Sequence, residues 1–336
     1  MKKVEAFELK PNSLDELKHN NIPVQKKLFS YRHFSHNRTI MYPHSTTIVF
    51  PMLLLCSSFL LSAQKSFNLR LLDSTTQQGI PYATIGLKVA NTGGTSDLQG
   101  RYTFNIQEKN QSDTLIISCI GYKSKIVPVK TLAESTMNSF ELIPIVYEMD
   151  EVAIYPNPGS GSLILNPIEK KRYEMSIGST GFLQQIASFF PRPKNIENFY
   201  LESIKILTSS GKGSSFRLRV YENNAKLNGP GADILISPLI VKVKEHLQQI
   251  DLSHYKIKVP ENGFYIAVEW LKIKENIIQF RSKESETIIA YEPYIKSYRV
   301  SNAKDLTSWS LNYKNEWQRL AAGFNLAIEV TLLGVQ

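Results

Sequence analysis

From residue 67 onward, short runs alternate apolar and polar residues with a period of two, the signature of half-buried strands. Phe67-Asn-Leu-Arg-Leu-Leu-Asp opens the series. Arg101-Tyr-Thr-Phe-Asn-Ile places Tyr102, Phe104 and Ile106 on one face. Phe216-Arg-Leu-Arg-Val-Tyr-Glu buries Phe216, Leu218 and Val220 and turns Arg217 and Arg219 to solvent. Gly263-Phe-Tyr-Ile-Ala-Val-Glu-Trp-Leu aligns Trp270 with Phe264, Ile266 and Val268. Leu115 to Ile120 is apolar enough to be buried throughout. Gly79, Pro81, Gly93-Gly94, the Asp97-Leu-Gln-Gly100 turn and Gly121 punctuate the first group of runs. Long helical periods are scarce. The pattern predicts an all-β chain of two β-sandwich domains, the second, jelly-roll-like, with about eight strands.

The punctuation also divides the chain. Residues 1–47 read as a disordered leader, and 48–63 as the hydrophobic region of a signal peptide. The apolar stretch Ile48–Leu61 is short for a membrane span, contains Pro51, and is followed by Ser62-Ala63-Gln64, small residues that suit a signal peptidase. Leu55 stands before Cys56 where a lipidation signal needs a small residue. The mature chain is therefore expected to lack a transmembrane span and to be exported to the periplasm, the outer-membrane surface or the exterior. Residues 65–147 form the first sandwich, 148–165 a linker around Tyr155-Pro-Asn-Pro-Gly-Ser-Gly-Ser, and 166–336 the second sandwich.

Three phrases of the first sandwich, Gly79-Ile-Pro-Tyr-Ala-Thr-Ile-Gly-Leu, Gly94-Thr-Ser-Asp-Leu-Gln-Gly-Arg-Tyr-Thr-Phe and Asp113-Thr-Leu-Ile-Ile-Ser-Cys-Ile-Gly-Tyr-Lys, resemble the carboxypeptidase regulatory-like domain. That family is transthyretin-like, seven-stranded and common in exported Bacteroidetes proteins. The resemblance implies a fold and a compartment. In peptidases similar domains are accessory modules, and in outer-membrane nutrient receptors they precede a plug and barrel. Tyr147-Glu-Met-Asp-Glu-Val-Ala-Ile-Tyr resembles the strand that follows the domain in those receptors, yet too little chain remains for a barrel. The second half resembles uncharacterised C-terminal regions that accompany this domain.

Charge narrows the partners. The net charge is +9, but eight of the 39 Lys/Arg and four of the 30 Asp/Glu lie before residue 64, which leaves a surplus of five. These charges are scattered, so a nucleic-acid footprint is not expected. Beyond the leader only Cys119 remains, which excludes an intramolecular disulfide and suits a buried small hydrophobe. His246 and His254 are too few and too isolated for zinc, and Asp97 with Gly100 makes a turn, not a calcium loop. Neither metal nor cofactor is expected, and no catalytic residue is assigned. Glu269 and Glu292 could be imagined as a glycosidase pair, the weakest reading.

Aromatics carry the better lead. Tyr291, Tyr294, Trp309, Tyr313 and Trp317 crowd the last quarter of the chain and are the candidate ligand-binding residues. Exposed rings can stack on sugar C–H faces. The expected function is a non-catalytic binding or structural module at the cell envelope, with a polysaccharide or an envelope protein as partner. The alternative is an accessory component or degenerate relative of an outer-membrane uptake system or hydrolase.

Overall fold

The computed structural model describes residues 64–145, 161–170, 172–194, 198–226, 229–281, 286–320 and 323–335. The leader, the signal-peptide region and the proposed linker up to residue 160 lie outside the described residues. Within them every regular element is a strand or a single 3₁₀ turn, so the chain is all-β. No helix among them is long and apolar enough to cross a membrane, which leaves β-barrels unaddressed.

Seven strands build the first sandwich: β1 (Gln64–Asp73), β2 (Thr84–Leu87), β3 (Thr92–Thr95), β4 (Arg101–Gln107), β5 (Thr114–Ser118), β6 (Lys125–Pro128) and β7 (Met137–Leu142). They pair as β4-β1-β7 and β3-β2-β5-β6, with β1 and β7 parallel. Phe67, Leu69, Leu71, Ile85, Phe104, Leu115 and Ile117 fill the space between the sheets. Cys119 joins this core. The turn signals act as the sequence predicts. Asp97 accepts the amides of Gln99 and Arg101, each at 2.8 Å. Gly100 sits at φ +75° with Leu71 O only 2.3 Å from where a Cβ would be, so no other residue fits. Tyr122, after Gly121, closes the end of the sandwich with its hydroxyl donating to Asp73 Oδ2 at 2.8 Å.

Fifteen more strands among the described residues make the second sandwich: β8 (Ser162–Leu165), β9 (Met175–Ser179), β10 (Leu183–Phe190), β11 (Asn198–Leu207), β12 (Ser215–Asn224), β13 (Gly229–Asp233), β14 (Leu239–Lys242), β15 (Leu247–Asp251), β16 (Phe264–Trp270), β17 (Ile277–Arg281), β18 (Thr287–Arg299), β19 (Ser308–Asn312), β20 (Trp317–Arg319), β21 (Phe324–Leu326) and β22 (Ile328–Val335). The count exceeds the eight expected because long runs are broken by turns into short ladders. Ser162–Leu165, read from sequence as linker, is instead an edge strand. Its Leu163 pairs with Leu332 of β22, a use for apolar β-formers that a linker would not have.

The large sheet runs β13-β12-β16-β10-β19-β20, with β14 also on β12. Its inner face, Ile186, Phe216, Leu218, Val220, Phe264, Ile266, Val268 and Trp270, packs on Leu201, Ile204, Ile206, Val330 and Leu332 of the facing sheet, β15-β11-β22-β8. A third sheet, β17-β18-β21 with β9, completes the wall. Trp270 satisfies its indole N–H by donating to Pro293 O at 2.8 Å.

The outer face of the large sheet departs from expectation. Arg217, predicted to face solvent, is fully buried. Period two assigned its face correctly, but the first sandwich covers that face. Both sandwiches belong to one compact unit.

Candidate binding surfaces and the buried charge node

Adjacent strands bring four charges together beneath the first sandwich. Arg217 and Arg219 project from β12, Glu269 from β16 and Asp233 from the end of β13. Glu269 Oε2 accepts from Arg217 Nη1 at 3.0 Å and from Arg219 Nη1 at 2.8 Å, while Arg219 Nε donates to Asp233 Oδ2. Two cations and two anions thus balance, with Arg217 and Glu269 fully buried and Arg219 and Asp233 at the partly exposed edge. The first sandwich supplies the remaining partners. Thr84 Oγ1 donates to Glu269 Oε1 at 2.5 Å, and Arg217 Nη2 donates to the carbonyl of Tyr82. Tyr82 holds φ at +57°, an uncommon conformation for a bulky residue.

Burial pushes the Glu269 carboxyl up, but Arg217, Arg219 and the Thr84 hydroxyl outweigh it and hold it at about 2. Glu269 is therefore an anion at neutral pH and has no proton to offer as a general acid. Burial keeps Asp233 above its ordinary range, with Arg219 offsetting only part of that.

The five aromatic candidates fall into three places. Trp309 and Trp317 are half-buried on the outer face of the large sheet. There the small Ala187 and Ala267 leave room for Tyr221 and Tyr265 to pack across the strands. Trp317 meets Tyr221 edge to face at 5.5 Å, and Trp309 meets Tyr265 at 6.3 Å. The sheet curls until β13 reaches β20, and a Cβ on Gly229 would lie 3.2 Å from the Trp309 ring. The Arg319 guanidinium stands 5.4 Å from the same ring. Tyr313 is buried between the sandwiches: Cβ atoms on Gly86 and Gly93 would come within 2.7 and 2.5 Å of its ring. Tyr291 shares that region, with Lys272 Nζ 5.3 Å from its ring and 4.4 Å from that of Tyr313. Tyr294 lies apart, against Gly178 of β9.

Two clefts open beside these groups. The first, about 760 Å³, lies at one end of the second sandwich. Phe189, Tyr298, Arg299, Lys304, Asp305 and Asn325 are among its walls. Phe189 ties it to the aromatic face, since its ring stands 5.2 Å from Tyr265. Asn325 holds the loop before β19 by accepting from Thr307 N at 2.8 Å and donating to Asp305 O at 2.7 Å. Nothing in the alternation pointed to Phe189 or Asn325: Phe189 is next to last in β10, and β21 around Asn325 is only three residues long. The second cleft, about 800 Å³, runs between the two sandwiches.

His246 and His254 remain separate: His246 Nδ1 lies 3.2 Å from Thr208 O, and His254 packs on Tyr255. Among the described residues no group of three or more His, Cys, Asp or Glu could hold a metal ion.

No curated protein matches the chain. A solved structure titled "Structure of infectious bursal disease virus Gx strain" is 10% identical over 82% of this chain and 68% of its own, with a TM-score of 0.21, too low to carry an argument. Residues 70–154, which take in the first sandwich from β1 onward, match the model of the CarboxypepD_reg-like domain family. The first sandwich is accordingly a carboxypeptidase regulatory-like domain.

Proposed function

We propose that this chain is an exported, non-catalytic binding module of the cell envelope, and that its second, jelly-roll-like sandwich takes a glycan in the Phe189 cleft. The observation that carries this reading is the meeting of an aromatic wall and a charged rim in one cleft. Phe189 offers a flat apolar surface for sugar C–H groups, while Arg299, Lys304 and Asp305 offer hydrogen-bond partners for hydroxyls. Trp309 and Arg319 continue the surface alongside. Phe189, Trp309 and Arg319 share the large sheet, while Arg299 ends β18 of the third sheet and Lys304 and Asp305 lie in the 3₁₀ turn that follows it. The burial of Glu269, with two guanidinium groups on its carboxylate, leaves a sugar no access to it and weighs against the glycosidase alternative.

Titration of the chain's Trp fluorescence with envelope and dietary polysaccharides, peptidoglycan included, tests the reading. A saturable change that Phe189→Ala or Trp309→Ala weakens about tenfold or more is expected. A flat response across the panel contradicts it.

A partner protein is the second reading, favoured by the β17–β18 hairpin. Ile277, Phe280 and Ile289 are 40, 43 and 48% exposed there. Ile277 and Ile289 share one face of this strand pair and Phe280 lies on the other, so the edge strand β17 suits strand addition or an apolar contact. Ile277→Asp with Ile289→Asp, on one face of the pair, would then abolish envelope-protein cross-links and leave glycan titrations unchanged.

A further inference from the structure

We propose that the glycan taken by the Phe189 cleft is an acidic one, a uronate-bearing chain whose carboxylate is gripped by the Arg299 guanidinium. This rests on the glycan reading of that cleft and names the class of sugar the cleft selects.

Arg299 ends β18, and its partner across the ladder is Phe324 of β21. The guanidinium stands 4.7 Å from the centre of the buried Phe324 ring, a contact that restrains where its fork can point. One acid approaches it: Glu174 Oε2 lies 3.6 Å from Nε, an ion pair too long to be a hydrogen bond. Among the described residues neither Nη atom has an ion-pair partner, and the Arg299 side chain is 64% exposed. A guanidinium binds a carboxylate through two parallel N–H···O bonds from such a fork. The Arg299 fork is thus held by packing on one side and open to a ligand on the other.

The other charges on the walls leave a positive surplus. Arg172, Arg299 and Lys304 line the cleft together with Glu174 and Asp305. Glu174 is engaged by Arg299, whereas Arg172 and Lys304 take part in none of the ion pairs among the described residues. Lys304 rides on a pinned turn: its amide donates to Asn302 Oδ1 at 3.0 Å, and Asn325 Nδ2 donates to Asp305 O at 2.7 Å. These cations border the same cavity as the Phe189 ring. A neutral sugar would use the ring and the hydroxyl partners alone. A uronate uses the ring for its C–H face and the fork for its carboxylate. Because the cations are exposed, salt screens their attraction, a property the test exploits.

Calorimetric titration of the full chain with oligogalacturonate, against neutral galactooligosaccharide of equal length, tests the proposal. The acid is expected to bind about tenfold or more tightly than the neutral sugar at low salt, and the preference should shrink as NaCl is added. Polyglutamate, which has the charge but no sugar ring, should bind more weakly than oligogalacturonate. Arg299→Lys keeps the charge and loses the planar fork, so it should cut the preference about threefold or more. Should that variant misfold, Arg172→Ser with Lys304→Ser changes only exposed side chains and should cut the preference as well. Equal affinity for the two sugars overturns the proposal and leaves the glycan reading standing. Polyglutamate binding as tightly as oligogalacturonate also overturns it, as does an undiminished preference in whichever variant folds. Silence with both sugars overturns it together with the glycan reading.

Discussion

Glu269 is the residue on which the two halves of the molecule converge. It receives two guanidinium groups from β12 and one hydroxyl from the first sandwich. Buried ion pairs give little net stability over well-packed apolar groups, but removing one member leaves the others uncompensated. Glu269→Ala should accordingly cost about 3–5 kcal/mol in urea unfolding. Thr84→Val, which keeps the shape and deletes only the hydroxyl, should cost about 1–3 kcal/mol. A cost below measurement for both would mean that water reaches the node. The carboxyl is held at about 2 when folded, against an ordinary value of 4.5. Its contribution, about 3 kcal/mol by linkage, is present above pH 4.5 and disappears as the pH falls towards 2. Wild type should therefore lose stability across that window more steeply than Glu269→Gln, whose amide does not titrate. Parallel acid profiles for the two proteins would show that Glu269 is not the group responsible.

At the scale of elements, Gly86 on β2 and Gly93 on β3 form a smooth floor for Tyr313, which arrives from the end of β19 and donates its amide to Asn91 Oδ1 at 3.0 Å. Gly86→Ala puts a methyl 2.7 Å from the ring, an overpacking expected to cost about 1–3 kcal/mol. In Gly86→Ala/Tyr313→Ala the clash is gone, so the two changes should couple in a double-mutant unfolding cycle, and strict additivity would argue against the contact. Strands that alternate were legible because one face is buried and one is not: the pairing of Phe216, Leu218 and Val220 against Arg217 and Arg219 is correct as to face. The longest strand, Thr287–Arg299, gave no such signal, because both its faces change environment along its length and Pro293 interrupts the run. Exposure also escaped the alternation. Period two reports which side of a sheet a residue occupies, and Arg217 is buried because another domain lies on that side.

For the whole molecule, the same fact turns two sandwiches into one body. Sequence punctuation marks out the sandwiches and the regulatory-like phrases of the first, yet the contacts that join them span 185 residues from Thr84 to Glu269. No local pattern encodes such a pairing, and the aromatic candidates scatter for the same reason: Tyr313 and Tyr291 belong to the join, Trp309 and Trp317 to the curled sheet. If the node fixes the first sandwich to the second, the two should unfold together. Differential scanning calorimetry of the chain, compared with Glu269→Ala, tests this most directly. The account predicts a single transition for the wild type, with calorimetric and van't Hoff enthalpies in agreement, and a lower or divided transition for the variant. Two separate transitions in the wild type, the first-sandwich one unmoved by Glu269→Ala, would contradict it.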